Sequence, residues 1–371
     1  MKTCNRGECV VVICDEIVID GHPNIYNNSS RKLRIAYGIP ETTNNETGII
    51  LLVPGFGGNI DSNVYKKMRR EFPEKYNSVV VQCSYFGDEF MQTPKNFNMD
   101  ISQVIKEKRK DSFTQKEILE VFEEEKYIIH ATEFTNESIE SFNDMGYMQA
   151  IDLLTTIACM EFILKGNNIV YNPLGIIGYG HSHGAYLLYL ANFLNGNIFS
   201  LIVDNSGWII PSYLQKDWNR RVITKIGKSQ IITSYDYWIV DKIINMKIYD
   251  LKELYKNKKP NVLVYSFLGE DDELVSLEEK KEFINMFPNG NLEIISNKNI
   301  DNIIFNNTKH SLGADLLKLF EYVMGKSKNR VIANRVLKKE YEIESLNLRV
   351  KYDGVELPLF NFEKCLLKQN Q

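Results

Sequence analysis

Residues 180–184 read Gly-His-Ser-His-Gly and place a serine between two glycines. Residues 174–179 before them are apolar and β-branched, as in a buried strand, and the residues from 185 onward are apolar helix formers. A serine on such a sharp strand-to-helix turn is exposed as a nucleophile, and flanking side chains would collide with the strand and the helix. A dinucleotide fingerprint would need its third glycine at His183. We therefore predict that Ser182 is a catalytic nucleophile.

A serine hydroxyl needs a neighbouring base, and that base needs an acid to orient it. The chain has five histidines, of which four precede the predicted turn or lie within it (His22, His130, His181, His183). We expect the two histidines within the turn to point away from Ser182. His310 comes late, after a strand-like segment and before a predicted helix. It is therefore the predicted base.

The acid is expected just past the end of a strand that lies between the nucleophile and the base. Residues 269–273 read Gly-Glu-Asp-Asp-Glu directly after an apolar strand. The Gly-x-x-Asp spacing followed by Leu-Val favours Asp272, with Asp271 and Glu270 as alternatives. Asp204, after the preceding strand, is a weaker candidate.

Stabilising the negative charge that forms on the attacked carbonyl requires two backbone N–H groups. We predict that these are the amides of His183, next to the nucleophile, and of Phe56, in the loop Pro-Gly-Phe-Gly-Gly (54–58) that follows an apolar strand. Gly55 and Gly57 would let this loop approach the substrate. Further substrate-binding candidates are two aromatic residues that follow predicted strands (Tyr85, Trp208).

The order of elements indicates one α/β domain over residues 1–371. A charged, predominantly helical insertion is predicted over 88–143, and a helix over 144–164 would carry the crossover that makes the neighbouring strands parallel. Residues 207–259 contain three tryptophans and are predicted to form a helical cap over the site. In the C-terminal extension, 326–371, residues 341–362 alternate like a β-hairpin around Asp353-Gly354.

Composition excludes several function classes. The net charge is −4, which does not favour nucleic acid or an anionic membrane surface. No stretch reads as a membrane span or a secretion signal, so we expect a cytoplasmic protein. The spacing of Cys4, Cys9 and Cys14 matches no zinc motif. We expect no metal and no organic cofactor.

The order of glycine-rich loop, Gly-x-Ser-x-Gly, acid and histidine resembles the α/β-hydrolase superfamily over nearly the whole chain. This resemblance implies a mostly parallel, twisted sheet flanked by helices. Segments 79–92, 178–192 and 199–214 are similar to the bacterial domain-of-unknown-function family 2920, some members of which are associated with flagellar glycan loci. The resemblance to that family implies no particular substrate. Gly-x-Ser-x-Gly with a histidine after the serine also resembles acylaminoacyl and prolyl-oligopeptidase-type peptidases, although no propeller domain is evident.

The leading hypothesis is an esterase-like or deacylase-like serine hydrolase that acts on a small-molecule, acyl-sugar or peptide substrate. An acyltransferase that modifies a sugar with the same residues is an alternative. A peptidase of the acylaminoacyl type and a non-catalytic binding protein on the same fold are further alternatives.

Overall fold

A computed structural model describes residues 13–327, apart from 197, 216–219 and 244, together with five strands closer to the termini. The strands are β1 (Thr3–Asn5), β2 (Glu8–Val10), β3 (Ile13–Asp20), β4 (Lys32–Ile39), β5 (Gly48–Val53), β6 (Ser78–Cys83), β7 (Phe97–Met99), β8 (Ile128–Glu133), β9 (Ile176–His181), β10 (Leu201–Asn205), β11 (Arg221–Ile226), β12 (Ser229–Tyr235), β13 (Leu263–Gly269), β14 (Gly290–Ile295), β15 (Glu340–Ile343), β16 (Leu348–Lys351) and β17 (Leu359–Phe362). The helices are α1 (Asn63–Tyr76), α2 (Ser102–Lys108), α3 (Gln115–Glu124), α4 (Tyr147–Gly166), α5 (His183–Leu194), α6 (Leu251–Tyr255), α7 (Leu277–Ile284) and α8 (Leu316–Lys326). Short 3-10 helices span Asp88–Met91, Ser212–Leu214 and Met246–Tyr249.

An eight-stranded sheet in the order β14-β13-β10-β9-β5-β6-β4-β3 forms the centre of the molecule. The strands from β14 to β6 run parallel, whereas β4 and β3 are antiparallel to their neighbours. Parallel strands of this kind are covered on both faces and therefore consist of continuous apolar runs. Every residue of β5 and β6 is buried.

Helices cover the two faces of this sheet. Along β5, Ile49 and Leu51 join the core formed with α4 and α5, while Ile50 and Leu52 face the core formed with α1 and α8. This alternation follows from the two-residue period of a strand. The mixed sheet between two helical layers is the α/β-hydrolase fold, which confirms the predicted fold class.

A second sheet, in the order β11-β12-β8-β7, joins segments 88–143 and 207–259. Here the structure differs from the predicted helical character of both segments, because four of their stretches are strands. β8 and β12 pair in parallel although about a hundred residues separate them, with Ile128 opposite Gln230. One face of this sheet packs against α2 and α3 in a small core of its own. The division into insertions stays a prediction.

One described helix, α4, is long and apolar enough to cross a membrane by length and composition alone, with a mean hydropathy of 1.4. The sequence predicts a helix here, over 144–164, but not a membrane span. Of its most apolar window, 83% is buried inside the protein, against the central sheet. Such burial is what a core helix shows.

The C-terminal strands β15, β16 and β17 form an antiparallel sheet of three strands. β16 and β17 flank the predicted turn at Asp353-Gly354, which itself lies outside the described residues. The hairpin-like tail therefore carries one strand more than the sequence predicts.

Candidate active site

Ser182 lies on the tight turn between β9 and α5. Its backbone adopts a φ of 53°, in the left-handed region that L-residues rarely occupy. A Cβ atom at Gly180 would come within 2.5 Å of the Ala185 backbone, and one at Gly184 within 2.2 Å of the Val53 carbonyl oxygen. Both glycines are therefore required sterically, because the turn lies directly against the helix and the neighbouring strand. The result is a strained serine that projects from the end of the strand.

The structure brings Ser182, His310 and Asp272 together in one hydrogen-bonded chain. Ser182 Oγ lies 2.7 Å from His310 Nε2, and His310 Nδ1 lies 2.8 Å from Asp272 Oδ2. An ionised carboxylate can only accept, so Nδ1 carries the proton and Nε2 is left to accept from the serine hydroxyl. The Asp272 side chain is 1% exposed and that of His310 18% exposed. The base therefore reaches solvent, whereas the acid does not.

Two loops meet to place the acid beside the base. Asp272 follows β13, and its Oδ1 accepts hydrogen bonds from the backbone amides of Leu274 and Val275 at 2.9 and 3.0 Å. The loop that carries His310 packs so closely on the end of β13 that a Cβ atom at Gly269 would lie 1.9 Å from the Thr308 carbonyl oxygen. The Asp271 amide donates to that same oxygen at 3.0 Å.

The other candidate acids have different partners. Asp271 accepts a 2.5 Å hydrogen bond from the Thr308 hydroxyl, and Glu270 accepts one from the Asn297 amide at 3.0 Å. Asp204 is fully buried and forms a 2.6 Å ion pair with Lys280, which is equally buried. Among these carboxylates only that of Asp272 contacts His310.

The glycine-rich loop at residues 54–58, here called the oxyanion loop, lies against the nucleophile. A Cβ atom at Gly55 would be 2.6 Å from the His181 carbonyl oxygen and 2.9 Å from Ser182 Cβ. Gly57 has a φ of 82°, and its amide donates to the Met91 carbonyl at 2.9 Å. Within the described residues, the amides of Phe56 and His183 donate to no backbone carbonyl. Their role as oxyanion donors stays a prediction.

Two predicted substrate-binding residues lie beneath this loop. Tyr85 is 2% exposed, and its hydroxyl donates to the Pro54 carbonyl at 2.9 Å. Trp208 is 1% exposed and stacks on the Phe56 ring at a centroid distance of 5.5 Å. The placement of both side chains differs from the predicted role, because buried rings that support the loop present almost no surface to a substrate.

The imidazole of His183 is buried, as expected of a side chain directed away from the nucleophile. Its Nε2 donates to Gln149 Oε1 at 2.6 Å, and Gln149 in turn donates to the Phe86 carbonyl and to Asn143 Oδ1. Burial lowers the pKa of His183 to about 3, so the ring is neutral. This contact ties the start of α5 to α4.

His181 is also neutral. Burial, followed by the nearby His310, lowers its pKa to about 4. Its Nδ1 accepts a 2.9 Å hydrogen bond from Asn205 Nδ2.

Sequence reasoning missed the residues that hold the turn after His310. Ser311 has a φ of 74°, its amide donates to Ser206 Oγ at 3.1 Å, and its carbonyl accepts from Asn205 Nδ2 at 3.4 Å. Asn205 and Ser206 stand at the carboxyl end of β10, beside that of β9. Their polar character at a strand end is the signal that could have found them.

No group of three or more His, Cys, Asp or Glu residues that could hold a metal ion occurs in the part of the chain that the structure describes.

Comparisons with known proteins give structural likeness only. No family model matches the sequence, and no curated protein does. The ferulic-acid-bound esterase Est1E from Butyrivibrio proteoclasticus is 14% identical, with 81% of this chain and 95% of that chain covered and a TM-score of 0.44. An esterase from an Arctic intertidal metagenomic library is 11% identical, with coverages of 89% and 99% and a TM-score of 0.45.

An acylaminoacyl peptidase bound to a chloromethyl ketone is 12% identical and has a TM-score of 0.49. The match covers 90% of this chain but only 43% of the peptidase chain. At such identities and TM-scores the assignment of the fold depends on the sheet order and on the turn at Ser182.

Proposed function

We propose that this protein is a serine hydrolase that cleaves an ester or amide through an acyl-enzyme intermediate. The observation that supports it best is the unbroken hydrogen-bonded chain from Ser182 Oγ through His310 to Asp272. A serine in strained backbone conformation, a base with solvent access and a buried carboxylate are what nucleophilic acyl transfer requires.

In the proposed first half-reaction, Ser182 Oγ attacks the substrate carbonyl carbon while its proton passes to His310 Nε2. Asp272 keeps the imidazole oriented and stabilises the positive charge that forms on it. The amides of His183 and Phe56 donate to the oxyanion. Nε2 then delivers the proton to the leaving group, the carbonyl–leaving-group bond breaks, and the acyl group stays on Ser182.

In the second half-reaction, His310 removes a proton from a water molecule, which attacks the acyl-enzyme carbonyl. Collapse of that intermediate returns the proton to Ser182 Oγ and releases the acid. No step draws on a group other than these residues, the substrate and water.

A fluorophosphonate probe tests this proposal directly, because it reacts only with an activated serine. We expect the folded wild-type protein to be labelled and Ser182→Ala to remain unlabelled. Ser102→Ala, an exposed serine on α2, is the matched control and should label like the wild type. Absence of labelling in the wild type, or equal labelling of Ser182→Ala, would contradict the proposal.

Transfer of the acyl group to a sugar would use the same residues, with a hydroxyl in place of water. Product analysis with an acyl donor and candidate glycans separates the two reactions, and a blocked peptide substrate tests the peptidase alternative. Membership of domain-of-unknown-function family 2920 belongs to this proposal as well and supplies no substrate.

A further inference from the structure

Arg220 is a buried arginine beside the oxyanion loop. It precedes β11, and its carbonyl accepts a 3.1 Å hydrogen bond from the Tyr235 amide. The guanidinium carbon lies 4.7 Å from the centroid of the Phe56 ring and 4.3 Å from that of Tyr235. The residue is 6% exposed. Aromatic faces attract this cation, but they do not neutralise its charge.

The charge of Arg220 has no carboxylate partner among the described residues. A guanidinium offers five N–H donors, and buried charges in proteins are normally paired. The hydrogen bond found for this side chain runs to the neutral Tyr237 hydroxyl at 3.3 Å. Glu133, which lies opposite Tyr235 in the second sheet, is not within ion-pair distance of Arg220. Among the described residues the guanidinium therefore has a hydrogen bond to a neutral hydroxyl and no ion pair.

A single ring separates Arg220 from the catalytic turn. The Phe56 ring that it contacts belongs to the residue after Gly55, and a Cβ atom at Gly55 would lie 2.9 Å from Ser182 Cβ. Phe56 is half-buried and so keeps part of its surface open to a ligand. Trp208, stacked on the same ring, leaves its buried Nε1 donor without an acceptor. The Trp208 donor without an acceptor and the Arg220 charge without an ion pair among the described residues thus lie against the same Phe56 ring.

We propose that Arg220 binds a carboxylate carried by the substrate, so that the ester or amide cleaved here is anionic. This inference rests on the proposed serine hydrolase function and names its substrate class. Arginine suits the role because it pairs with a carboxylate through two parallel hydrogen bonds, is weakly hydrated and stacks on aromatic rings. A bound carboxylate would supply the ion pair that no described carboxylate forms with Arg220.

The test compares two 4-nitrophenyl esters of matched chain length, the pentanoate and the mono-ester of glutaric acid, which ends in a carboxylate. We expect the wild-type protein to favour the glutarate ester. In Arg220→Gln, kcat/KM for the glutarate ester should fall about 10- to 100-fold more than kcat/KM for the pentanoate, the range expected when a charged hydrogen bond is lost. Arg220→Lys keeps the charge and should fall less. Arg221→Gln, at the exposed neighbouring position, should leave the ratio unchanged.

Because the measured quantity is a ratio of two substrates on one variant, partial misfolding does not imitate the effect. Equal losses on both esters in Arg220→Gln would show a purely structural role and overturn the inference. If the losses are equal but both esters are still hydrolysed through Ser182, the inference about Arg220 fails and the proposed serine hydrolase function is retained. Failure of the wild-type protein to cleave either ester through Ser182 would overturn the proposed function and this inference together.

Discussion

Replacing Asp272 by asparagine should reverse the proton arrangement of the neighbouring imidazole. Oδ1 of Asp272 faces two backbone donors, the amides of Leu274 and Val275, so the asparagine carbonyl oxygen must take that place. Its NH2 group then occupies the position of Oδ2, 2.8 Å from His310 Nδ1. Two donors cannot face each other, and the asparagine oxygen, at the position of Oδ1, lies farther from Nδ1 at 3.1 Å and already accepts two backbone hydrogen bonds, so we expect Nδ1 to give up its proton. The proton moves to Nε2, which can no longer accept from Ser182.

The expected loss in kcat is about 10⁴-fold, the size seen when the wrong imidazole tautomer is imposed on such a triad. This corresponds to about 5 kcal/mol of transition-state stabilisation. KM should change little, because the buried Asp272 side chain does not face the substrate. Steady-state hydrolysis of a 4-nitrophenyl ester gives both parameters, and the rate of fluorophosphonate labelling should fall in parallel.

The neighbouring acids provide matched controls for this substitution. Asp271→Asn and Glu270→Gln remove one charge each from the same loop, but their carboxylates contact Thr308 and Asn297 and not His310. We expect each control to keep kcat within about threefold of wild type, as for substitutions outside the catalytic chain. The assignment of the acid would be refuted if Asp272→Asn kept more than about a tenth of the activity while a control lost it.

Two further predictions concern stability. Lys280→Met should lower the free energy of unfolding, measured by chemical denaturation, by about 3–5 kcal/mol, because it leaves the Asp204 charge buried without its partner. Substitution of the exposed neighbour, Lys281→Met, should lower it by less than about 0.5 kcal/mol. Similar losses in the two variants would contradict this prediction. The pKa of His183 is lowered to about 3, so between about pH 6.5 and pH 3 the unfolded chain binds a proton at this residue and the folded protein does not. The free energy of unfolding is therefore unaffected by His183 above about pH 6.5 and falls as the pH drops towards 3. His183→Gln should reduce the loss between pH 7 and pH 5 by about 2 kcal/mol, and an unchanged pH dependence would count against a neutral buried imidazole.

The central sheet and the candidate catalytic residues could be predicted from the sequence because the patterns that indicate them lie within short stretches of the chain. β5 is a continuous apolar run that ends directly before Pro54, as predicted for the strand that precedes the glycine-rich loop. The glycines around Ser182 mark a close approach that no other residue type permits. His310 could be selected because so few histidines compete with it.

The second sheet could not be predicted from the sequence in the same way. In β12 every second residue from Ser229 to Tyr235 is buried, but two of these buried residues are a serine and a threonine, so the strand has no clear apolar alternation. Its parallel partner β8 lies about a hundred residues earlier in the chain. Parallel pairing leaves no turn signal between the two strands, and the charged residues around them favour a helical prediction. Segments 88–143 and 207–259 were predicted to be helical because the composition of each was considered separately, without the pairing between them.

The proposed catalytic residues lie next to the central sheet, whereas the proposed specificity residue, Arg220, lies next to the second sheet. Ser182 and Asp272 follow the central strands β9 and β13, and His310 lies on a loop that packs against the end of β13. Arg220, in contrast, reaches Phe56 because the second sheet pairs β11 with β12 and places Tyr235 against the guanidinium. If Arg220 binds the substrate as proposed, specificity depends on a contact between segment 207–259 and the loop at residues 54–58, so a change in segment 207–259 could alter the substrate without disturbing Ser182, His310 and Asp272.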